Sequence, residues 1–185
     1  MQTILGSGGA IGTELEKALK THTNAIRLVS RNPKKVNDTD LLFSADLTDA
    51  KQVSKAIEGS SICYLTVGFD YKTKLWQELW PALIKNVVSA CHEHKTKLVF
   101  FDNVYAIGGD NVKHITENSA VSPSSKKGEV RAFVDNHILD NIDKGNIEAI
   151  IARSPDFFGP IKEKSILMNM IHDNFFKRKT CTVVL

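Results

Sequence analysis

The stretch "ILGSGGAIGTEL" (residues 4–15) decides how the chain folds. Gly6, Gly9 and Gly12 recur every third residue between a short apolar run and an amphipathic segment at 12–20. Residues 2–5 read as a strand. Beyond the glycines, Ala10, Ile11, Leu15, Ala18 and Leu19 fall on one helical face, with Glu16 and Lys20 paired at i,i+4 on the other. A strand, a glycine turn and a helix in this order have two readings. Glycine permits a sharp turn at such a junction whether or not anything binds there. It also lets the backbone approach a pyrophosphate, which the free N–H groups and partial positive charge of the helix start then hold. The second reading makes Gly6, Gly9, Ala10, Ile11 and Gly12 contacts of a dinucleotide.

The pattern repeats outward. Apolar runs at 25–29, 41–45, 62–67, 97–101 and 147–152 read as strands; helical periodicity occupies 51–57, closed by Gly59, then 74–94 and 126–144. Almost wholly apolar strands alternating with helices predict an α/β fold, a doubly wound parallel sheet covered on both faces. Pro81 interrupts the 74–94 stretch and predicts a break or kink near Trp80. Trp76 and Trp80, at i,i+4, read as a core stripe or as the seam of a dimer.

The chain has 185 residues, 42% of them hydrophobic, enough to bury one good core. A net charge of +3 with scattered Lys and Arg argues against a nucleic-acid partner. No apolar run approaches the ~18 residues of a membrane span, and a structural strand opens the chain where a leader would stand. Cys63, Cys91 and Cys181 form no CxxC pair, so neither a disulfide framework nor a zinc site is expected, and a cytoplasmic location follows. In "CHEH" (91–94), His92 and His94 differ by two positions and point to different sides of a helix, so no metal is expected there either.

The second strand ends in "LVSRNPKK" (28–35). A carboxylate at this place would accept hydrogen bonds from the adenosine ribose of NAD. Ser30, Arg31, Lys34 and Lys35 instead offer hydroxyl and cationic donors, which suit a 2′-phosphate and favour NADP(H) over NAD; the plainer reading is a solvated basic turn. After the third strand, "SADLTD" (44–49) sets Asp46, with Leu47 beside it, where it can face an adenine amino group. Equally, Asp46 or Thr48 can cap the next helix.

Four separated motifs now resemble one family: "GSGGAIG" (6–12), "DLTD" (46–49), "KLVFFDNVYAIG" (97–108) and "ARSPDFFGP" (152–160). In type and order they are similar to the extended and atypical short-chain dehydrogenase/reductases, the group of NAD(P)-dependent sugar epimerases and dehydratases. The resemblance covers residues 1–160, which it implies are a dinucleotide-binding domain with strand order 3-2-1-4-5-6. It implies that Thr66, Val67 and Gly68 lie along the cofactor toward its nicotinamide. Residues 161–185 then read as the start of an incomplete substrate-binding lobe. Relatives pair through helices on this side of the sheet, which implies a homodimer through 74–94.

The family's proton chemistry rests on a Tyr-x-x-x-Lys pair, the lysine lowering the phenol's pKa from ~10. Here the candidate lysines are Lys126 and Lys127 in "SPSSKKGEVRA" (122–132), and four residues before them stand Ser122 and Pro123. The dyad's tyrosine is missing, and the usual hydroxyl at the end of strand five is replaced by Phe101, Asp102 or Asn103. Two functional readings follow. In one, Tyr105 or Asp102 takes over proton transfer, with Lys127 on the nicotinamide ribose, in an oxidoreductase or epimerase/dehydratase-like enzyme acting on a small carbonyl or sugar-type substrate. In the other, the fold binds NADP(H) without turnover, as a regulatory or redox-sensing module or an inactive truncated relative.

Overall fold

The computed structural model describes residues 1–155. Residues Met1–Arg153 form one compact unit. Expectations placed on residues 156–185, including "DFFGP", the 161–185 lobe and Cys181, lie outside the described residues.

The elements follow in the order β1 (Gln2–Leu5), α1 (Ala10–Leu19), β2 (Ile26–Ser30), β3 (Leu41–Ser44), α2 (Ala50–Ile57), β4 (Ile62–Leu65), α3 (Thr73–His94), β5 (Lys97–Asn103), α4 (Lys126–Asp143) and β6 (Ala149–Ser154). The six strands form one parallel sheet in the order β3-β2-β1-β4-β5-β6. Ile4 pairs with Leu28 on one side and Tyr64 on the other, so β1 is central and the registers place all the strand ends on one edge. The doubly wound order that the family resemblance implies is the one observed.

Alternation along the central strands divides the core. Ile4, Ile26 and Leu28 pack with Leu19 of α1 on one face, whereas Leu5, Val29 and Leu65 face the opposite way, into a larger cluster with α2, α3 and α4. On that second face α3 lies between α2 and α4. Right-handed crossovers require this division, because the chain winds one way from β1 to β3 and the other way from β4 to β6.

α3 runs unbroken through Pro81, against the expected interruption. Proline removes one i→i−4 hydrogen bond, here from the carbonyl of exposed Gln77, while Trp76, Trp80, Leu83, Ile84 and Val87 are buried along the same helix. Burial of that face outweighs the lost bond. Trp76 and Trp80 are therefore core residues of one chain, not the seam between two. His94 Nε2 meets Ser54 Oγ at 2.8 Å and His92 Nδ1 meets the Asn146 carbonyl at 2.7 Å, each ring serving as a polar tie at the helix end. Cys63 of β4 and Cys91 of α3 meet in the core, where the neighbouring sulfur and then burial raise the Cys63 thiol well above its ordinary value.

α1 also departs from the expected projection. Its buried positions are Gly12, Glu16 and Leu19, and Ala18 is exposed. The Glu16–Lys20 surface pair does not form; Lys20 donates instead to Asn24 Oδ1 and Thr39 Oγ1.

Candidate cofactor-binding and active site

At the end of β1 the chain turns through Gly6 and Gly8, both left-handed at φ 97° and 84°. A Cβ on Gly6 would stand 2.8 Å from the Val67 nitrogen, and one on Gly12 would stand 2.8 Å from the Gly6 carbonyl and 3.1 Å from Thr66 Oγ1. The first and third glycines thus let the turn, α1 and the end of β4 pack against one another. Gly8, which the every-third-residue spacing passes over, has open space where its Cβ would be. Gly9 is the N-cap of α1 with no side-chain capping bond, and the first turn, with Ala10 and Ile11, contains no acidic residue. Ser7 Oγ is buried and, among the described residues, has no partner. An uncapped helix start, an open left-handed glycine and an unpaired buried hydroxyl at one place fit a diphosphate.

Next to this turn, β2 ends at Ser30 and β3 at Ser44, in register. Ser44 Oγ donates to the Arg31 carbonyl at 2.8 Å, holding the two strand ends together. Asp46 is not the helix cap, and neither is Thr48: Asp49 caps α2, accepting from the N–H groups of Lys51 and Gln52. Asp46 instead accepts from the Thr48 N–H at 2.9 Å and the Thr48 hydroxyl at 2.8 Å. Those two bonds, backbone first, hold its carboxyl below its ordinary value, and the nearby charge of Arg31 adds to the effect. Asn86 of α3 donates to the Leu47 and Thr48 carbonyls, so the 46–48 turn is fixed from both sides. Arg31 and Asp46, both exposed, share one edge of the site.

Thr66 follows β4 directly, its N–H donating to the Leu5 carbonyl at 2.9 Å and its hydroxyl to the same oxygen at 3.2 Å. The strand stops at Leu65, earlier than expected, which leaves Thr66, Val67 and Gly68 as a loop along the carboxyl edge. In doubly wound sheets ligands bind at this edge, where the strand order reverses.

Tyr105 and Lys127 meet in one aromatic cluster at the same edge. The Tyr105 ring stacks on Trp76 with centroids 6.3 Å apart and stands edge-on to Tyr71 at 6.2 Å. Lys127 Nζ lies 3.2 Å from the centroid of the Tyr71 ring, a cation–π contact. Tyr71 itself is 60% exposed and has no place in any sequence motif; no local signal marked it. The backbone beneath is tightly set: Asn103 Oδ1 accepts from the Tyr105 N–H, and a Cβ on Gly128 would fall 2.4 Å from the Tyr105 carbonyl. Gly128 therefore lets the start of α4, and with it Lys127, close on Tyr105.

Asp102 does not belong to this open cluster. Its buried carboxylate is ion-paired with Arg131 of α4, whose guanidinium lies 4.2 Å from the Trp80 ring centroid. Burial brings Arg131 down to about 9, opposed by Asp135, so it remains a cation at neutral pH. Asp135 in turn accepts from Arg153 at 2.7 Å. A carboxylate engaged in this way holds α4 against β5 and is not positioned to exchange protons with a substrate, against the expected role of Asp102. Among the described residues, no three His, Cys, Asp or Glu side chains gather to hold a metal ion, and no helix is long and apolar enough to cross a membrane.

Comparison with known proteins agrees with this fold. The structure is similar to the dTDP-glucose 4,6-dehydratase of Streptomyces venezuelae, solved with NAD bound, at a TM-score of 0.83 and 12% identity over 97% of this chain and 63% of that one. It is similar to uronate dehydrogenase from Agrobacterium tumefaciens, TM-score 0.71 and 18% identity over 80% of this chain and 57% of that one. The UDP-glucose 4-epimerase of Thermus thermophilus, in complex with NAD, gives 0.72 and 16%, over 87% and 57%. The chain thus spans less than two thirds of the length of these enzymes, and at such identities the likeness is one of fold. No protein of curated function matches by sequence. The NAD(P)H-binding family model matches residues 6–140, well over half of the chain and spanning the glycine turn, the β2 and β3 ends and the aromatic cluster, and the chain belongs to that NAD(P)H-binding family.

Proposed function

We propose that the chain binds NADP(H) in preference to NAD(H) and serves as an oxidoreductase or epimerase/dehydratase-like enzyme on a small carbonyl or sugar-type substrate. The observation that carries the cofactor choice is the end of β2: it presents Ser30 and the Arg31 guanidinium where an NAD site would place a carboxylate. In this reading the glycine turn and the start of α1 hold the diphosphate, Arg31 forks onto the 2′-phosphate, and Asp46 and Leu47 border the adenine. Thr66, Val67 and Gly68 line the path toward the nicotinamide, which when bound exchanges a hydride with the substrate carbon. Tyr105 exchanges the accompanying proton, and Lys127 supplies positive charge at the nicotinamide ribose and the substrate oxygen.

A homodimer through the helical segment 74–94 belongs to the same proposal. With Trp76 and Trp80 buried, its contact rests on the outer faces of α3 and neighbouring α4, where Phe133 and Leu139 are exposed. Sedimentation equilibrium decides between one copy and two.

Calorimetric titration with NADPH and NADH tests the cofactor. NADPH is expected to bind about tenfold more tightly, ~1.4 kcal/mol, and Arg31→Ala to remove that margin while leaving NADH unchanged. Equal affinities in the unaltered protein overturn the proposal.

A further inference from the structure

Between α1 and the end of the 31–40 loop, beside the start of β3, two carboxyl groups are shut away from water. Glu16 of α1 is fully buried and neither of its oxygens has a partner among the described residues. Asp40, 2% exposed, closes the loop that begins at Arg31: its Oδ2 accepts from the N–H groups of Val36 at 3.1 Å and Asn37 at 2.5 Å, while its Oδ1 is unpaired. Lys20, one turn beyond Glu16 on α1, donates to Thr39 Oγ1 at 2.7 Å and so holds this part of the helix against the end of the loop, where Asp40 raises the Glu16 carboxyl and Glu16 lowers that of Asp40. Two carboxylates buried together repel each other, whereas a carboxyl and a carboxylate sharing one proton supply a donor to the unpaired acceptor. One proton satisfies both residues.

We infer that Glu16 and Asp40 share a single proton and that this proton locks the 31–40 loop onto α1 in the shape that offers Arg31 to a 2′-phosphate. The inference rests on the NADP(H) reading above and adds the residues that position its specificity loop. α1 begins at the diphosphate turn and carries Glu16 nearly two turns on, so the shared proton ties the two anion-binding parts of the site together.

The pair's surroundings leave it the titrating centre. Burial first, and then Asp40, push Glu16 up to about 8. Burial acts against ionisation of Asp40 as well, but the bond from Glu16 and the N–H groups of Asn37 and Val36 outweigh it and hold that carboxyl below its ordinary value. On α1, Lys20 is engaged with Asn24 and Thr39, and Lys17 with Glu14. From the loop, Lys35 donates to the Asp38 carbonyl; from the sheet beneath, Tyr64 donates to Gln2. Loss of the proton on Glu16 sets two negative charges against each other and frees the loop.

The test follows the Glu16 carboxyl carbon by NMR in the chain without cofactor, and in parallel the NADPH-to-NADH affinity ratio between pH 7 and pH 9. Glu16 is expected to titrate near 8. The ratio is expected to fall about tenfold across that range, as the protonated fraction does. Glu16→Gln, whose amide donates to Asp40 at every pH, should keep the ratio flat. Should that variant fold poorly, Asp40→Asn, which removes the partner charge, should move the Glu16 titration down. A Glu16 carboxyl titrating below pH 6, or the same pH profile in the unaltered chain and Glu16→Gln, overturns the shared proton with the cofactor reading intact. Equal NADPH and NADH affinities at pH 7 overturn the cofactor reading and the loop's role in it, wherever Glu16 titrates.

Discussion

Arg131 on α4 is ion-paired with Asp102 on β5, and both side chains are shut away from water. Such a pair gains little over a well-packed apolar pair, because desolvation offsets its attraction; removing one member is what destabilises, by roughly 3–5 kcal/mol, since the other charge is then buried alone. Asp102→Asn keeps the shape and removes the charge, and is expected to lower unfolding free energy by about 3 kcal/mol in urea titrations. Combining it with Arg131→Met should destabilise by less than the two single changes added together, a coupling of about 1 kcal/mol or more. Strict additivity would show that the two side chains do not interact as a buried pair.

The two left-handed glycines separate conformational strain from close approach. Gly8→Ala meets open space, so only the φ of 84° resists it, about 1–2 kcal/mol. Gly6→Ala meets the same backbone resistance and also drives a Cβ to within 2.8 Å of the Val67 nitrogen, which belongs to backbone and has little room to yield. Chemical denaturation should therefore rank Gly6→Ala well below Gly8→Ala in stability. Equal losses would mean that the 66–68 loop moves aside freely.

Glu16 also gives the fold a pH dependence of definite sign. Its pKa is about 8 in the folded chain against 4.5 for the free group, so between those values the native state keeps a proton that the unfolded chain has released. Raising the pH through that window then favours unfolding, and above it the slope from this group vanishes. Asp40, held below its ordinary value, acts in the opposite sense and in the acid range only. Melting temperatures of the unaltered protein, minus those of Glu16→Gln, are expected to decline from pH 5 to pH 8. A flat difference would place Glu16 in contact with water.

What the sequence disclosed and withheld follows from the range of each signal. The parallel α/β sheet and the glycine turn rest on local periodicity and spacing, and both are legible in residues 4–15 and in the run of apolar strands, whereas the strand order is what the family resemblance implies. Gly8 escaped because a left-handed φ leaves no trace in spacing. Helical spacing puts Glu16 on the polar face opposite the apolar stripe, yet as a protonated acid it can occupy the buried stripe with Gly12 and Leu19. Asp102 passed for a proton donor because its partner, Arg131, stands 29 residues away. Tyr71 had no motif to announce it, and only the folding of α4 beside the β4 loop brings it under Lys127.

Tyr105 and Tyr71 can be told apart as proton donors by removing one oxygen at a time. Both rings belong to the cluster that holds Lys127, and phenylalanine at either position retains ring packing while deleting the hydroxyl. If Tyr105 carries the proton, Tyr105→Phe should lower turnover about 10²-fold or more, within the usual range for losing a general acid, and leave NADPH affinity unchanged. Tyr71→Phe should retain most of the turnover. Lys127→Met should depress turnover too and in addition weaken NADPH binding, because its charge serves the ribose as well as the reacting oxygen. The measurement is NADPH oxidation at 340 nm, a wavelength set by the reduced nicotinamide, across a set of small carbonyl and sugar compounds, with calorimetric affinities alongside. Should Tyr71→Phe prove inert and Tyr105→Phe active, the exposed phenol beneath Lys127 is the donor, and Tyr105 is the platform on which it stands.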